Sequence, residues 1–388
     1  MKEENLSSTV ISDTESSETI APSTAKSIQR DSQGLVRRRS FLQGLGLAGV
    51  ALSTGALATT RAAAAISGSS GQLSKGDVAI LKLLAAAELI EADLWQQYAE
   101  LGGVTQGTQN PYQLALQQLD GDGSQYISSN NLDEQSHADF LNAYLISKGE
   151  EPVDLDRFRT LPSSQATGAQ QIGRLTNVMQ LSVDTSWYVR YRSATNPDFG
   201  ATFAEALAAL AKGQFPGIPR TNADFGPKHH VQAIANTAAF HFGFIEQAGS
   251  SLYATLSQKV SNPEVLKITL SIGGDEICHF LEWVDFAGNG VQPPIAPFTD
   301  PTNGLHFPNF DAKKNPLLQT NLIFPVPCEF ISPNLPHCAV IRPTSPGQID
   351  AVGAINGFIS DGLFIGQSPE FSELVLNLAH EADAATRS

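Results

Sequence analysis

The sequence predicts an all-α fold: four long helices in a bundle, one long crossover between the second and third, and a proline-rich carboxy-terminal extension. Three observations predict it. Four stretches carry apolar residues at the three-to-four spacing of a helix. Each of those stretches contributes one member of an ordered series, Glu, Glu-x-x-His, Glu, Glu-x-x-His. Twelve of the 22 prolines lie between Pro293 and Pro346, which excludes a long helix there and confines the bundle to the residues before it.

The first predicted helix starts at Ser74, a plausible N-cap with Asp77 three residues on. Its apolar positions run through Ile80, Leu83, Leu84, Ala87, Leu94 and Trp95, and Gly102-Gly103 ends it. A loop containing Gly, Asn and Pro leads to the second helix, about Ser129 to Lys148. The crossover, residues 150–225, is read as holding two helices of its own, about Gly168–Arg192 and Ala201–Lys212. The third and fourth long helices span about Pro227–Val260 and Pro263–Phe286, with Gly288-Asn289-Gly290 as the stop. Residues 74–290 are therefore read as the bundle. Residues 291–388 are read as an extension wrapped over it or a small accessory domain. In them, strand fragments are predicted at Leu322–Phe324 and Ala339–Ile341, and helices at about Pro346–Phe358 and Pro369–Ala384.

Before the bundle lies a different kind of segment. Residues 1–36 are rich in Ser, Thr and charge and are predicted to be disordered. Arg37-Arg38-Arg39-Ser40-Phe41-Leu42-Gln43 follows, then a weakly hydrophobic Gly/Ala/Leu run to about Ala58, then Arg61-Ala62-Ala63-Ala64-Ala65 with small residues for cleavage. This arrangement resembles a twin-arginine export signal, which implies passage through the twin-arginine machinery to the periplasm or another extracytoplasmic space. The competing reading is a basic tail before a membrane anchor, although the apolar run is near the short end for a spanning helix. The formal charge of −15 disfavours nucleic acid and anionic membrane surfaces as partners. Of the three cysteines, Cys328 and Cys338 are available for one disulfide in an oxidising compartment, and Cys278, inside a helical motif, reads as a buried free thiol.

The helices repeat internally. Ile90-Glu91 is followed after six residues by Tyr98-Ala99, and Ile245-Glu246 after six by Tyr253-Ala254. Asp133-Glu134-Gln135-Ser136-His137 and Asp275-Glu276-Ile277-Cys278-His279 form the other pair. Residues three apart on a helix share a face one turn on, so a Glu-x-x-His pair offers a carboxylate and an imidazole to one metal ion. Glu91, Glu134, His137, Glu246, Glu276 and His279 together give four carboxylates and two imidazoles, whose formal charge two divalent ions cancel. Without cations the carboxylates would repel and be costly to desolvate. This ligand pattern is a known one for di-iron and di-manganese bundles. In this reading Glu91 and His137 serve one ion, Glu246 and His279 the other, and Glu134 and Glu276 bridge. Tyr98 and Tyr253, two turns from their glutamates, are expected to donate hydrogen bonds to ligand carboxylates. Glu88 shares the face of Glu91, but its counterpart on the third helix is Gly243, so it stands in reserve.

Other candidates read as structural. His229-His230 reads as a solvated cap, His241 as a core histidine off the ligand face, and Trp187, Tyr188 and Tyr191 as core packing. His337-Cys338 lacks metal-site partners nearby, and no phosphate-binding glycine loop or Gly-x-Ser-x-Gly elbow is present.

Through Glu88-Leu89-Ile90-Glu91-Ala92 to Tyr98, Asp133–His137, Ile245–Tyr253 and Asp275–His279, the chain resembles the ferritin-like superfamily, and within it an exported branch related to desiccation-related proteins. Gly362-Leu363-Phe364-Ile365-Gly366-Gln367-Ser368-Pro369 adds a weaker likeness. The resemblance implies a ferritin-like bundle with a centre of two iron or manganese ions. The long crossover and carboxy-terminal region depart from cage ferritins, which puts an iron-storage shell in doubt. The leading expectation is oxidase, ferroxidase or peroxide-removing chemistry in stress protection. The rival is a non-enzymatic metal-binding or structural protein of the cell envelope. The expected partners are metal ions, oxygen or peroxide, and the export machinery, with a homodimer as an open option. Nucleic acid is not expected, nor is membrane once the leader is removed.

Overall fold

In the computed structural model, which describes residues 72–192, 203–319, 325–327, 331–340 and 350–387, helices dominate. The predicted leader lies outside the described residues. Among the described residues no helix is long and apolar enough to cross a membrane.

Helix α1, Lys75–Gly102, begins where Ser74 accepts a hydrogen bond from the Asp77 amide at 3.0 Å. The expected loop after it contains a further helix, α2, Pro111–Leu119. A complete capping box starts α2: Asn110 accepts from the Gln113 amide, the Gln113 side chain accepts from the Asn110 amide, and Pro111 occupies the first turn. Helix α3, Gly123–Ser147, therefore begins six residues earlier than the periodicity predicts. Gly149, at φ 82°, closes it in the left-handed conformation that glycine tolerates.

The crossover departs most from expectation. Of the helix predicted at 168–192, only α4, the single turn Trp187–Arg190, is helical. The rest runs as irregular chain with isolated bridges, Leu161 to Arg174 and Leu181 to Phe215. The cause is Asp93 of α1. Its buried carboxylate accepts from the amides of Leu175 and Thr176 and from the Thr176 hydroxyl, while Arg159 pairs with its other oxygen. Those amides are no longer available to a helix ladder. The second crossover helix, α5, is Ala208–Lys212.

Helix α6, Lys228–Ser257, and helix α7, Pro263–Asn289, form a helical hairpin, with Asn262 capping α7. The long helices pack chiefly as two pairs, α1 along α3 and α6 along α7. After α7, β1 (Phe298–Thr299) pairs antiparallel with β2 (His306–Phe307), and β3 (Pro325–Val326) with β4 (Cys338–Ala339). Of the predicted strand fragments, Leu322–Phe324 and Ile341 lie outside the described residues and Ala339 is paired. Helices α8, Ala351–Ser360, and α9, Pro369–Asp383, follow.

The apolar core is continuous from the long helices into this last region. Phe358, Leu363, Phe371 and Val375 belong to the same cluster as Leu84, Trp95, Phe244 and Trp283. The described residues, from 72 onward, belong to one compact unit. Backbone bonds stitch the crossover to the C-terminal turn: the Asn177 amide to the Leu363 carbonyl at 2.7 Å, and the Ser182 amide to the Asp361 carbonyl at 2.8 Å.

Two side chains expected in one environment occupy the other. Cys278 is exposed rather than buried, because burying Glu276 and His279 turns the position between them to solvent. Cys338 is free and exposed, and Cys328 lies outside the described residues. His230, expected at a solvated cap, is buried between Asp300 at 2.8 Å and Asp224 at 3.2 Å, which tie the start of α6 to the β1–β2 turn.

Candidate metal centre

Four helices bring five carboxylates and two imidazoles together. Glu88 and Glu91 come from α1, Glu134 and His137 from α3, Glu246 from α6, and Glu276 and His279 from α7. All five glutamates are at most 3% exposed. α1, α3 and α7 each supply two of these groups at a spacing of three and α6 supplies one, so packing the apolar stripes inward turns them inward as well.

Glu134 stands between the two histidines. Its Oε2 lies 3.2 Å from Nδ1 of His137 and its Oε1 lies 3.1 Å from Nδ1 of His279. Around His137 Nδ1 stand Glu88 Oε2 at 3.4 Å and Glu276 Oε1 at 3.7 Å. Around His279 Nδ1 stands Glu246 Oε2 at 3.4 Å. Glu91 gathers with Glu246 and Glu276. The ligand atoms of each such group lie within 4.8 Å of one another, near the spacing adopted by ligands about 2 Å from a shared ion.

All six ligands read from the sequence meet here, but one expected role moves. The glutamate beside His137 is Glu88, and Glu91 sits with Glu246 and Glu276. Glu88 and Glu246 are held alike. Tyr253 donates to Oε1 of Glu88, and Asn130 donates to Oε1 of Glu246 at 3.0 Å, leaving each Oε2 facing a histidine. Of the two tyrosines, Tyr253 reaches a carboxylate as expected. Tyr98 instead bonds Nδ1 of His241 at 2.9 Å. The internal repeat accounts for this difference: the counterpart of Glu88 on α6 is Gly243, and the space a side chain would need there is filled by Trp187.

Three residues given no role by the sequence take part. Asn130 lies one turn before Glu134. Asp133 and Asp275, each preceding a Glu-x-x-His glutamate, exchange partners: Asp275 Oδ2 is 3.3 Å from Nε2 of His137, and Asp133 Oδ2 is 3.4 Å from Nε2 of His279. An outer carboxylate on the far nitrogen orients an imidazole and leaves its inner nitrogen free to bind a cation. The repeated Asp-Glu was the signal for this pair. Both aspartates are nearly half exposed, so the α3–α7 seam is the wet edge of the site.

The electrostatics are those of buried carboxylates packed closely around two imidazoles. Burial and the neighbouring carboxylates Glu134, Glu246 and Glu88 push Glu91 well above the usual carboxylate range. Burial, then Glu134, Glu91, Glu88 and Glu246, does the same to Glu276. Glu134 is pushed up to about 8 by burial, against the pull of the two histidines. Burial opposes charge on His137, but Glu134 and Glu88 outweigh it and raise it to about 11; His279 is raised too, by Glu246, Asp133 and Glu134.

The donor set fits a metal on a separate ground. Seven of its buried atoms have no hydrogen-bond partner: Glu88 Oε2, Glu91 Oε2, Glu134 Oε1, Glu246 Oε2, both oxygens of Glu276 and His279 Nδ1. Buried polar atoms are normally paired. Here they approach one another without the alignment of hydrogen bonds, as groups aimed at common points rather than at each other. These groups could hold metal ions.

No family model matches the chain, and no match was found among the curated proteins or the solved structures.

Proposed function

We propose that this chain is a ferritin-like four-helix bundle protein that binds two iron or manganese ions and uses them in redox chemistry with oxygen or peroxide. The observation that carries the reading is the convergence of seven unpartnered buried oxygen and nitrogen atoms from four helices. Glu88, Glu134, His137 and Glu276 would hold one ion, and Glu134, Glu246 and His279 the other, with Glu91 completing the set. Adding Glu88 brings the ligand charge to five negatives. Two divalent ions leave one of these unbalanced, which favours metals that can pass beyond the divalent state. Carboxylate and imidazole ligands suit iron and manganese alike, and bound metal would supply the electron exchange with oxygen or peroxide.

The test is metal content and turnover of the purified full chain. Glu134→Ala with Glu276→Ala should abolish binding of two ions per chain by elemental analysis; unchanged stoichiometry would refute the ligand set. Consumption of ferrous ion or peroxide by loaded protein supports the enzymatic reading, and its absence leaves the alternative, a non-enzymatic metal-binding or structural envelope protein on the same scaffold. Export rests on the motif at Arg37–Gln43. Arg38→Lys with Arg39→Lys should hold the protein in the cytoplasm, and normal export would sink that part.

A further inference from the structure

The buried donors converge on three points, not two. Glu88, Glu134, His137 and Glu276 gather at the first, Glu134, Glu246 and His279 at the second, and Glu91, Glu246 and Glu276 at the third. Within each group the ligand atoms lie within 4.8 Å of one another. Any two of these groups share one glutamate. Glu134 joins the first and second, Glu246 the second and third, and Glu276 the first and third. The donors thus form a triangle with a carboxylate along each edge. Two ions at the histidine corners leave the third corner, the one built around Glu91, without a cation.

The third corner has oxygen atoms to spare. Glu134 divides its oxygens between the two histidines, Oε2 toward Nδ1 of His137 and Oε1 toward Nδ1 of His279. Glu276 sends Oε1 toward Nδ1 of His137 at 3.7 Å. Its Oε2 also lacks a hydrogen-bond partner, as do Oε2 of Glu246 and Oε2 of Glu91. Three buried carboxylates from α1, α6 and α7 therefore meet with an unpartnered oxygen each. A buried carboxylate is costly to desolvate unless hydrogen bonds or an opposite charge compensate it.

The charge count points the same way. Five inner glutamates and the two aspartates on the outer nitrogens, Asp133 and Asp275, carry seven negatives. With neutral imidazoles, two divalent ions offset four of these and three offset six. A third ion supplies the missing charge without a change of oxidation state.

Building on the dimetal reading, we infer that the cluster holds a third divalent cation, bound by Glu91, Glu246 and Glu276. Its donors are all carboxylate oxygens, whereas each of the other two corners includes an imidazole. The corner therefore suits hard, oxygen-seeking cations such as calcium and manganese, while the imidazole corners keep the preference for transition metals. Two of its three carboxylates are shared with the other corners, so it fills last and exchanges most readily.

The probe is manganese(II). The full chain is stripped with chelator and dialysed to saturation against manganese(II), and the bound metal is counted by elemental analysis before and after dialysis against excess calcium. The wild-type chain should hold three manganese ions, of which calcium replaces one. Glu91→Gln, which keeps the side chain's shape, should hold two, and calcium should replace neither. Glu88→Gln should lose manganese from the corner of His137 and still hold one ion that calcium replaces. Two manganese ions in the wild-type chain, neither replaced by calcium, would overturn the inference and leave the dimetal reading standing; one or none would overturn both. Three ions of which calcium replaces none, or three ions in Glu91→Gln, would refute the assignment of an all-carboxylate corner to Glu91. Should Glu91→Gln fail to fold, as judged by urea unfolding, the wild-type count and its calcium replacement decide.

Discussion

Gly249 gives the sharpest test of why the carboxylates stand where they do. It lies on α6, one turn past Glu246, against the side chain of Glu276. A Cβ at this position would stand 2.1 Å from Oε2 of Glu276 and 3.0 Å from its carboxyl carbon. Ordinary contact begins near 3.4 Å, so in Gly249→Ala the carboxylate must retreat by about 1.3 Å. The atom displaced is the free end of a flexible side chain, so the backbone need not move. Alanine in a helix interior is favoured over glycine by up to about 1 kcal/mol. The two effects therefore separate. The metal-free variant should unfold in urea at or slightly above the wild-type midpoint, while its affinity for manganese or ferrous ion falls roughly tenfold to a hundredfold, the scale for displacing groups that orient a metal site. Gly274→Ala on α7 is the control, since nothing lies within 4 Å of its added carbon. It should gain the same helix propensity and bind metal unchanged. Wild-type affinity and stoichiometry in Gly249→Ala would refute the reasoning, because Glu276 would then have no need of its position.

Two further outcomes are expected. Glu88→Gln should lower metal stoichiometry as Glu246→Gln does, because the two carboxylates are held alike; full binding by Glu88→Gln, measured by elemental analysis, would return the role beside His137 to Glu91. Asp77→Asn should cost about 1 kcal/mol at neutral pH, because the carboxylate accepts from the Ser261 amide at 2.9 Å and the Ser261 hydroxyl at 2.6 Å. Burial alone would raise the Asp77 carboxyl, but the bonds from Ser261, Ser74 and Asn262 outweigh it and lower it. A lowered folded value stabilises above the unfolded carboxylate range and is lost as pH falls through the folded value. The gap between the two chains in urea unfolding should therefore be open at pH 7 and close in acid. A gap that does not change with pH would contradict this.

The long helices were legible because each carries its own instruction. Ser74, Pro227 and Pro263 mark starts, Gly102-Gly103 and Gly149 mark stops, and the apolar spacing fills the intervals. The short helix at Pro111–Leu119 was missed although its Asn110 and Gln113 form a capping box, because the Gly, Asn and Pro around it read as loop. The predicted helix at 168–192 failed for the opposite reason. Its local pattern suited a helix, but its amides at Leu175 and Thr176 are bound by Asp93, more than eighty residues away in sequence.

By itself the sequence determined which residue types share a face. The alternation of Glu with Glu-x-x-His specified six groups of the candidate centre, because helical geometry turns spacing into direction. Only the tertiary structure decided who meets whom. Glu88 rather than Glu91 stands beside His137, Asp133 and Asp275 serve the histidines of each other's helices, and Asp361 comes from the far end of the chain to meet His241. Those pairings depend on how separate helices rotate and slide against one another. That is set by the fit of side chains such as Trp187 against Gly243 and Glu276 against Gly249, which no spacing within a single helix encodes.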